Sequence, residues 1–344
     1  MASTTTLLDV DRLDSWIGDQ LPGCGTPMTA ERIGGGTGTA NVLFRVARGE
    51  HAWVLRRPPA VKNHPTASNT LREWRILQAL DGTDVPHPPP VLYCGDAEVL
   101  GTEFMLMCVV DGFTPGFELP EPFLGDITLR HGLAMAYVDG LVHLAAVDWR
   151  RRGLADLGKP EGFLERQVPR WLAQLERYST RELPELEFLA TWLSANTPTM
   201  SPAALIHGDY SPFNVMVAPR PPARLAAIVD WDTGTIGDPL LDIGHLLARW
   251  TEPGEDPIIT EQAGGSAGYP SRQQMADRYA SLSGRDLTAL PYYQALALFK
   301  LAVILEGSHA RQVKAGIDPD RTDMGPRVIR LLAGAAEFAR GQRK

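Results

Sequence analysis

The sequence predicts an α+β fold of two lobes, in which a small antiparallel sheet with one helix precedes a larger, mainly helical lobe. The chain has 344 residues, which exceeds the length at which one hydrophobic core usually divides. Strand-like runs dominate up to about residue 110, and long patterns of helical spacing follow residue 112. We therefore expect an N-terminal lobe over residues 1–110 and a C-terminal lobe over residues 111–344.

The N-terminal lobe is predicted to contain a β-hairpin and one amphipathic helix. Apolar runs at residues 42–47 and 52–56 flank a turn at residues 48–50, a pattern typical of paired antiparallel strands. Downstream, apolar residues recur at helical spacing over residues 69–80. This spacing predicts a helix that packs one face on the sheet.

The C-terminal lobe is predicted to be helical with one interruption. Between residues 204 and 232, short apolar runs at 215–217 and 225–229 flank a Pro-rich turn, which indicates a hairpin that carries function. Patterns of helical spacing occupy residues 133–144, 163–178, 185–196, 292–315 and 326–340.

Composition excludes several classes of function. The formal net charge is −8, so no basic excess favours binding to nucleic acid. Cys24, Cys94 and Cys108 form no CxxC pair and are odd in number, which favours a reducing, cytoplasmic location over a disulfide framework. No apolar run reaches membrane-spanning length, so we expect no membrane partner. The histidines lack the HxxxH and HxxEH spacings of zinc hydrolases.

The strongest chemical signal is the segment HGDYSPFN at residues 207–214, followed by IVDWD at residues 228–232. Phosphoryl transfer needs a carboxylate that orients or deprotonates the acceptor hydroxyl, and oxygen ligands that hold Mg²⁺ on the nucleotide phosphates. Asp209, Asn214 and Asp230 supply these groups. Asp and Asn are also common turn residues, so each alone has an ordinary structural explanation. The complete ordered set favours the chemical interpretation.

The order HGDxxxxN, followed by an apolar segment ending in DWD, resembles the aminoglycoside phosphotransferase and choline kinase family, distant relatives of the protein kinases. The resemblance covers about residues 32–250 and implies a protein-kinase-like fold, with nucleotide bound by the N-terminal lobe and acceptor by the C-terminal lobe. It implies that Asp209 is the catalytic Asp and that Asn214 and Asp230 are the metal ligands. His207 matches a position that braces the catalytic loop.

The resemblance also places a glycine-rich turn over the ATP phosphates. Gly35, Gly36 and Thr37 lie in such a run before the first confident strand, and glycine permits close approach of the backbone to a phosphate. The run matches neither GxGxxG nor the Walker pattern, and such a run is also an ordinary flexible turn. Its position in the order of motifs favours nucleotide contact.

Further nucleotide contacts are implied on the third strand, the helix and the segment between the lobes. Arg56 stands where the family carries a phosphate-contacting Lys, with Arg57 as the alternative and a solvated strand-end Arg as the structural explanation. Glu73 matches the helix acid that pairs with this cation, although a surface Glu is commonplace. Backbone groups of Cys108 and Val110 are expected to bind the adenine edge.

The segment GDPLLDIGHL resembles the start of the helix that supports the catalytic loop. Asp238 fits a helix N-cap before a Pro at the first helical position. The resemblance implies that Asp242 is buried and braces the backbone around His207 and Gly208. We assign both acids a structural role.

Together these features imply an ATP- and Mg²⁺-dependent phosphotransferase that acts on a hydroxyl of a small molecule. Residues 53–59, WVLRRPP, more closely resemble kinase-like domains that occur fused to acyl-CoA dehydrogenases, a subgroup associated with hydroxyacyl-CoA substrates. An aminoglycoside-like alcohol remains the other candidate acceptor.

The alternative function is a catalytically inactive, nucleotide-binding pseudokinase or scaffold, supported by Arg in place of Lys. A protein kinase is disfavoured because HRD, DFG and APE are absent. The choice between ATP and GTP and the oligomeric state, including a homodimer, stay open.

Overall fold

The computed structural model describes residues 8–34, 41–58, 70–116, 119–258, 267–318 and 322–343. Its N-terminal part combines a sheet with short helices. In chain order these elements are α1 (Val10–Ile17), β1 (Met28–Ile33), β2 (Val42–Arg48), β3 (His51–Arg57), α2 (Thr70–Leu80), β4 (Pro90–Cys94), α3 (Ala97–Leu100) and β5 (Phe104–Cys108). The strands lie in the order β1-β2-β3-β5-β4, and every neighbouring pair is antiparallel.

Alternation along β2 and β3 gives the sheet one buried face. Phe44 and Val46 on β2 are fully buried, as is Leu55 on β3. Side chains two residues apart on a strand point to the same face, so these residues can form one apolar layer. Leu13 and Ile17 of α1 join the same cluster. The first helix therefore covers the sheet face turned away from the second lobe's core.

The C-terminal part is mainly helical. Its long helix α9 has 25 residues and packs against α7 and α10. In chain order the elements are α4 (Ile127–Ala145), α5 (Gln167–Leu175), α6 (Leu186–Ala195), β6 (Ala204–Ile206), β7 (Val215–Val217), β8 (Leu225–Ile228), a 3₁₀ turn (Trp231–Thr233), β9 (Thr235–Gly237), α7 (Leu240–Ala248), α8 (Arg272–Ser283), α9 (Leu290–Lys314) and α10 (Met324–Ala339).

The larger hydrophobic core extends across the two lobes. Ile76 and Leu77 of α2 and Met105 of β5 belong to the same buried cluster as Trp231 and the helices of the C-terminal part. α2 also contacts the 3₁₀ turn directly. Burial of this apolar surface fixes the helix that carries Glu73 beside the loop that carries Asp230.

The predicted α+β fold is confirmed, with one correction and one addition in detail. The β2–β3 turn is shorter than the predicted residues 48–50, because Arg48 continues the strand and pairs with His51. Its buried guanidinium binds Asp14. Arg48, which was predicted to be a turn residue, therefore forms an ion pair instead. The hairpin predicted from the apolar runs at residues 215–217 and 225–229 is confirmed, since β7 pairs with β8. A second small sheet, in which β6 pairs with β9, was not predicted.

Among the residues described, no helix combines the length and the apolar character needed to cross a membrane.

Candidate active site

The loop between β6 and β7 is held through its backbone by α7. Asp242 accepts hydrogen bonds from the N–H groups of His207 (2.7 Å) and Gly208 (2.8 Å), which confirms the predicted brace. Burial raises the pKa of Asp242, and the two N–H donors oppose that rise. Lys300 of α9 donates to the carbonyl oxygen of Gly208. The loop that presents Asp209 is therefore anchored to two packed helices.

Gly208 has a conformation and a contact that only glycine accommodates easily. Its φ is +81°, in the left-handed region that side chains rarely adopt. A Cβ at this position would lie 2.9 Å from the carbonyl oxygen of Thr233. Thr233 in turn donates its hydroxyl to the carbonyl of His207 at 2.7 Å. The loop thus turns sharply just before Asp209 and packs backbone against backbone.

We predict that Gly208→Ala destabilises the protein more than Gly284→Ala does. Both positions have positive φ, but an added Cβ at Gly284 would meet no atom within 4 Å. Each substitution incurs the left-handed penalty of about 1–2 kcal/mol, and only the one at Gly208 adds overpacking of about 1–3 kcal/mol. Urea unfolding measures the difference. Equal losses for the two variants would contradict the close packing against Thr233.

Asp209 is held at both carboxylate oxygens. Nε2 of His245 lies 3.1 Å from Oδ1, and Asn214 donates Nδ2–H to Oδ2 at 3.1 Å and to the Asp209 carbonyl oxygen at 2.8 Å. Arg249 Nη1 is 4.0 Å from Oδ1. Burial acts to raise the pKa of Asp209, but the contact with His245 and the charges of Arg249 and Lys300 outweigh it and hold the pKa well below its ordinary value. The side chain is 43% exposed, so an ionised carboxylate faces the cleft.

The β7–β8 pairing places Asn214 and Asp230 at one end of a small hairpin. Val215 pairs with Ile228, and the Val229 N–H donates to the Asn214 carbonyl oxygen at 2.9 Å. Asp230 follows directly, with φ +66° and ψ +62°. A non-glycine residue in the left-handed region is uncommon, and such residues concentrate at functional sites. The two predicted metal ligands therefore lie at the same end of the hairpin, Asn214 just before β7 and Asp230 just after β8.

Arg56 joins three carboxylates at the boundary between the lobes. Its Nε lies 2.6 Å from Glu73, and its Nη2 lies 2.6 Å from Asp230 and 3.2 Å from Asp232. Arg56 and Glu73 are almost fully buried, with side chains 7% and 3% exposed. The Trp231 N–H also donates to Glu73 at 3.5 Å. The predicted cation, the predicted helix acid and the predicted metal ligand thus form one cluster, which we call the Arg56 cluster.

The Arg56 cluster carries excess negative charge, because three carboxylates face one guanidinium. Burial acts to lower the pKa of Arg56, but the three carboxylates outweigh it, and the pKa lies above its ordinary value. Burial raises the pKa of Glu73 to about 7 despite the nearby guanidinium. Burial likewise raises the pKa of Asp232. A cation beside these acids would favour their ionised forms.

The chemistry of the donor set suits a hard divalent cation. Asp230 Oδ1 accepts from Arg56, and the Asp230 side chain is 44% exposed. The amide nitrogen of Asn214 is engaged by Asp209, so only its side-chain oxygen could face a cation. Mg²⁺ typically takes one or two protein oxygens and completes its shell with phosphate and water. Within the described residues, no three His, Cys, Asp or Glu side chains are arranged to hold a metal alone.

Arg57, the alternative to Arg56, faces away from these acids. Its Nη1 donates to the Leu100 carbonyl oxygen at 3.2 Å, and its guanidinium lies 6.0 Å from the centroid of the Phe44 ring. Adjacent strand residues point to opposite faces, so only one of the two arginines can reach the cluster. The geometry favours Arg56.

The predicted phosphate-contacting residues Gly35, Gly36 and Thr37 lie outside the described residues. The chain is described again from Asn41, whose Nδ2–H donates to Asp232 Oδ2 at 2.8 Å. Asn41 ends the glycine-rich run in the sequence, and this hydrogen bond places it beside the Arg56 cluster. Phosphate contact by the run itself stays a prediction.

The predicted adenine-binding segment follows β5. The Cys108 N–H donates to the Pro89 carbonyl oxygen at 2.9 Å, so this N–H is already engaged within the lobe. Val110 lies two residues further on and is half-buried. Backbone contact between this segment and an adenine therefore stays a prediction, with the Cys108 N–H excluded as the donor.

Sequence reasoning missed the cationic and imidazole groups around Asp209. His245 lies on α7, Arg249 caps the C-terminal end of that helix, and Lys300 lies on α9. Nothing in their local patterns separates them from ordinary helix residues. For His245 and Arg249 the available signal was their spacing of three and then four residues after Asp242, because residues so spaced share a helix face.

Known proteins resemble this chain over most of its length. A model of the phosphotransferase enzyme family matches residues 29–277. Acyl-CoA dehydrogenase family member 11 of Rattus norvegicus is 29% identical over 335 residues, covering 94% of this chain and 42% of that protein. The chain therefore spans less than half the length of this relative.

Solved structures share the fold. A "putative aminoglycoside phosphotransferase" from Ralstonia eutropha superposes with a TM-score of 0.81 at 27% identity, covering 97% of this chain and 99% of that chain. Choline kinase from Cryptosporidium parvum superposes with a TM-score of 0.65 at 10% identity, covering 96% of this chain and 95% of that chain. The latter likeness is one of fold alone. The predicted protein-kinase-like, two-lobed architecture is confirmed.

Proposed function

The chain belongs to the phosphotransferase enzyme family, and from this premise we propose that it transfers the terminal phosphoryl group of ATP to a hydroxyl of a small molecule. One observation carries the proposal. An ionised Asp209 is contacted at both oxygens, by His245 and Asn214, on a loop anchored to α7 and α9, and the β7–β8 hairpin presents Asn214 and Asp230. Positioning and electrostatics supply most of the rate in this chemistry, and both are built into this loop.

Each residue of the site has a proposed part in the transfer. Asp209 orients the acceptor hydroxyl and takes its proton as the oxygen attacks the terminal phosphorus, and ADP leaves with the bridging oxygen. Asn214 and Asp230 hold Mg²⁺, which when bound would neutralise charge on the phosphate oxygens. Arg56 fixes Asp230 and Glu73 and contributes positive charge on the phosphate side.

The acceptor we favour is a hydroxyacyl-CoA. The relative that matches 94% of this chain is named for acyl-CoA chemistry, although the match spans less than half of that protein. The surroundings of Asp209 also favour this acceptor. Arg249 approaches to 4.0 Å, and Lys300, which donates to the carbonyl of the adjacent Gly208, adds a second positive charge. These cations disfavour a polycationic aminoglycoside next to the reacting group and favour an acceptor with anionic groups.

Calorimetric titration with nucleotide tests the site. We predict that Mg²⁺ strengthens binding of ATP and that Asp230→Ala weakens this Mg²⁺-dependent binding by about 10- to 100-fold. Asp277→Ala is the matched control, because Asp277 is exposed on α8 and accepts a hydrogen bond from Gln273 of the same helix at 2.7 Å. GTP is titrated in parallel, since an aminoglycoside 2′-phosphotransferase of this fold has been solved with GDP. Equal affinity with and without Mg²⁺ would contradict the proposed metal site.

A further inference from the structure

His245 on α7 faces the candidate catalytic carboxylate, but the mechanism above gives it no part. Its side chain is 3% exposed, and its Nε2 lies 3.1 Å from Asp209 Oδ1. The other oxygen, Oδ2, accepts from Asn214 at 3.1 Å. The carboxylate is therefore held from two sides, by a helix on one side and by its own loop on the other. Each carboxylate oxygen has two lone pairs, so both oxygens can still face an acceptor hydroxyl.

The same face of α7 fixes the loop backbone and the side chain that the loop carries. Asp242, which binds the N–H groups of His207 and Gly208, and His245, which contacts Asp209, are three residues apart on the helix. Such residues lie one above the other on a helix surface. All of α7 from Leu240 to Ala248 is buried, so this face is rigid. A single packed helix thus sets the orientation of the Asp209 carboxylate relative to its loop.

The protonation of His245 is constrained by its neighbours. Asp209 faces it from the loop, Arg249 faces it from the C-terminal end of α7, and Lys300 adds a positive charge from α9. Burial lowers the pKa of His245 to about 4, so the ring is neutral near pH 7 and carries one N–H. Arg249 Nη1 lies 2.9 Å from the same Nε2. Nε2 therefore either donates to Asp209 or accepts from Arg249, and these two arrangements need different tautomers.

On the premise of phosphoryl transfer stated above, we propose that His245 is a positioning residue that donates Nε2–H to Asp209 Oδ1. The alternative tautomer would set an imidazole lone pair against an ionised carboxylate at 3.1 Å. An arginine has five N–H donors and can direct others elsewhere, whereas the neutral ring has only one. The hydrogen bond keeps the carboxylate in the plane from which it meets the acceptor hydroxyl. A misplacement of about 1 Å at a reacting group can reduce the rate by about 100-fold.

Kinetics of two substitutions separate positioning from mere packing. His245→Leu removes the donor, and we expect kcat to fall by about 10- to 100-fold while KM for the nucleotide stays within about twofold. His245→Gln keeps an N–H donor at similar reach and should restore kcat to within about fivefold of the wild type. His309→Leu is the matched control, since His309 is buried on α9 with its ring beside Gly325 of α10. A kcat unchanged in His245→Leu, or a Gln variant as impaired as the Leu variant, would overturn the proposal.

Nitrogen NMR of the wild-type protein labelled at histidine tests the hydrogen bond without any turnover. The His245 resonances are assigned by their loss in His245→Gln. We expect the Nε2–H tautomer, and a shift of the Nε2 resonance in Asp209→Asn; the Nδ1–H tautomer would overturn the proposal. If the wild type phosphorylates no acceptor, the proposed function fails, and the tautomer still decides whether His245 donates to Asp209.

Discussion

Replacing Asp209 with Asn is expected to lower kcat for phosphoryl transfer by about 10²–10⁴-fold. Asn has nearly the same shape, but it is neutral and cannot take the proton from the acceptor hydroxyl. In the wild type this carboxylate is ionised near neutral pH, because the contact with His245 and the cationic neighbours outweigh the effect of burial on its pKa. Acceptor-dependent release of ADP measures the loss.

Nucleotide affinity should change little in Asp209→Asn, since the substitution does not alter the residues of the Arg56 cluster, which include Asp230. Asp277→Asn provides the control for a neutralised aspartate on an exposed helix face, and its kcat should equal that of the wild type. An Asp209→Asn variant that retains full turnover would show that this carboxylate is not the catalytic group.

Replacing Arg56 with Met is expected to destabilise the protein by about 3–5 kcal/mol, because it leaves the buried carboxylate of Glu73 without its cation. Glu73 is 3% exposed and lies 2.6 Å from Arg56, and Asp230 and Asp232 share the same guanidinium. Without the guanidinium, the negative charges of the three carboxylates would repel one another, and burial would further destabilise the folded state. The free energy of urea unfolding, with an unchanged slope against urea concentration, reports the loss.

Arg75→Met is the matched control for Arg56→Met. Arg75 pairs with Asp156 at 2.5 Å, but these side chains are 35% and 71% exposed, so the expected loss is within about 1 kcal/mol. Arg56→Lys should fall between the two, because an ammonium keeps the charge but lacks the planar fork that reaches several carboxylates. Equal losses for Arg56→Met and Arg75→Met would contradict the account of a buried charge cluster.

The sequence predicted the elements whose signals are local. The helix around residues 69–80 and the apolar runs near residues 215 and 225 correspond to α2, β7 and β8 within one or two residues. The brace from Asp242 to the loop was also predicted, because an ordered motif and a family resemblance fixed its partners in advance. These predictions needed no knowledge of how distant segments pack.

Long-range pairing defeated the remaining predictions. β6 pairs with β9 across residues 207–234, so no short sequence pattern could predict this second small sheet. Arg48 resembled a turn residue because its partner, Asp14, lies on a helix that the sequence did not predict. One difference was local: Asp238 accepts from the Leu240 N–H at 3.0 Å, as expected of the predicted N-cap, but α7 begins at Leu240, one residue later than predicted.

One missed helix did carry a local signal. α8 begins with a capping box, in which Ser271 accepts from the Gln274 N–H and the Gln274 side chain accepts from the Ser271 N–H. This spacing of Ser and Gln is recognisable in a sequence. His245 had no comparable signal, since its role depends on α7 lying beside the loop between β6 and β7.

The most direct test of the account is phosphorus NMR of the reaction products. Wild-type protein is incubated with Mg²⁺, ATP and, in separate samples, hydroxyacyl-CoAs, aminoglycosides, choline and simple sugars. The account predicts a new phosphate monoester resonance with at least one acceptor, with hydroxyacyl-CoA favoured, and none with Asp209→Asn. Binding of Mg²⁺ and ATP without a phosphorylated product from any acceptor would contradict the transferase and support a nucleotide-binding pseudokinase.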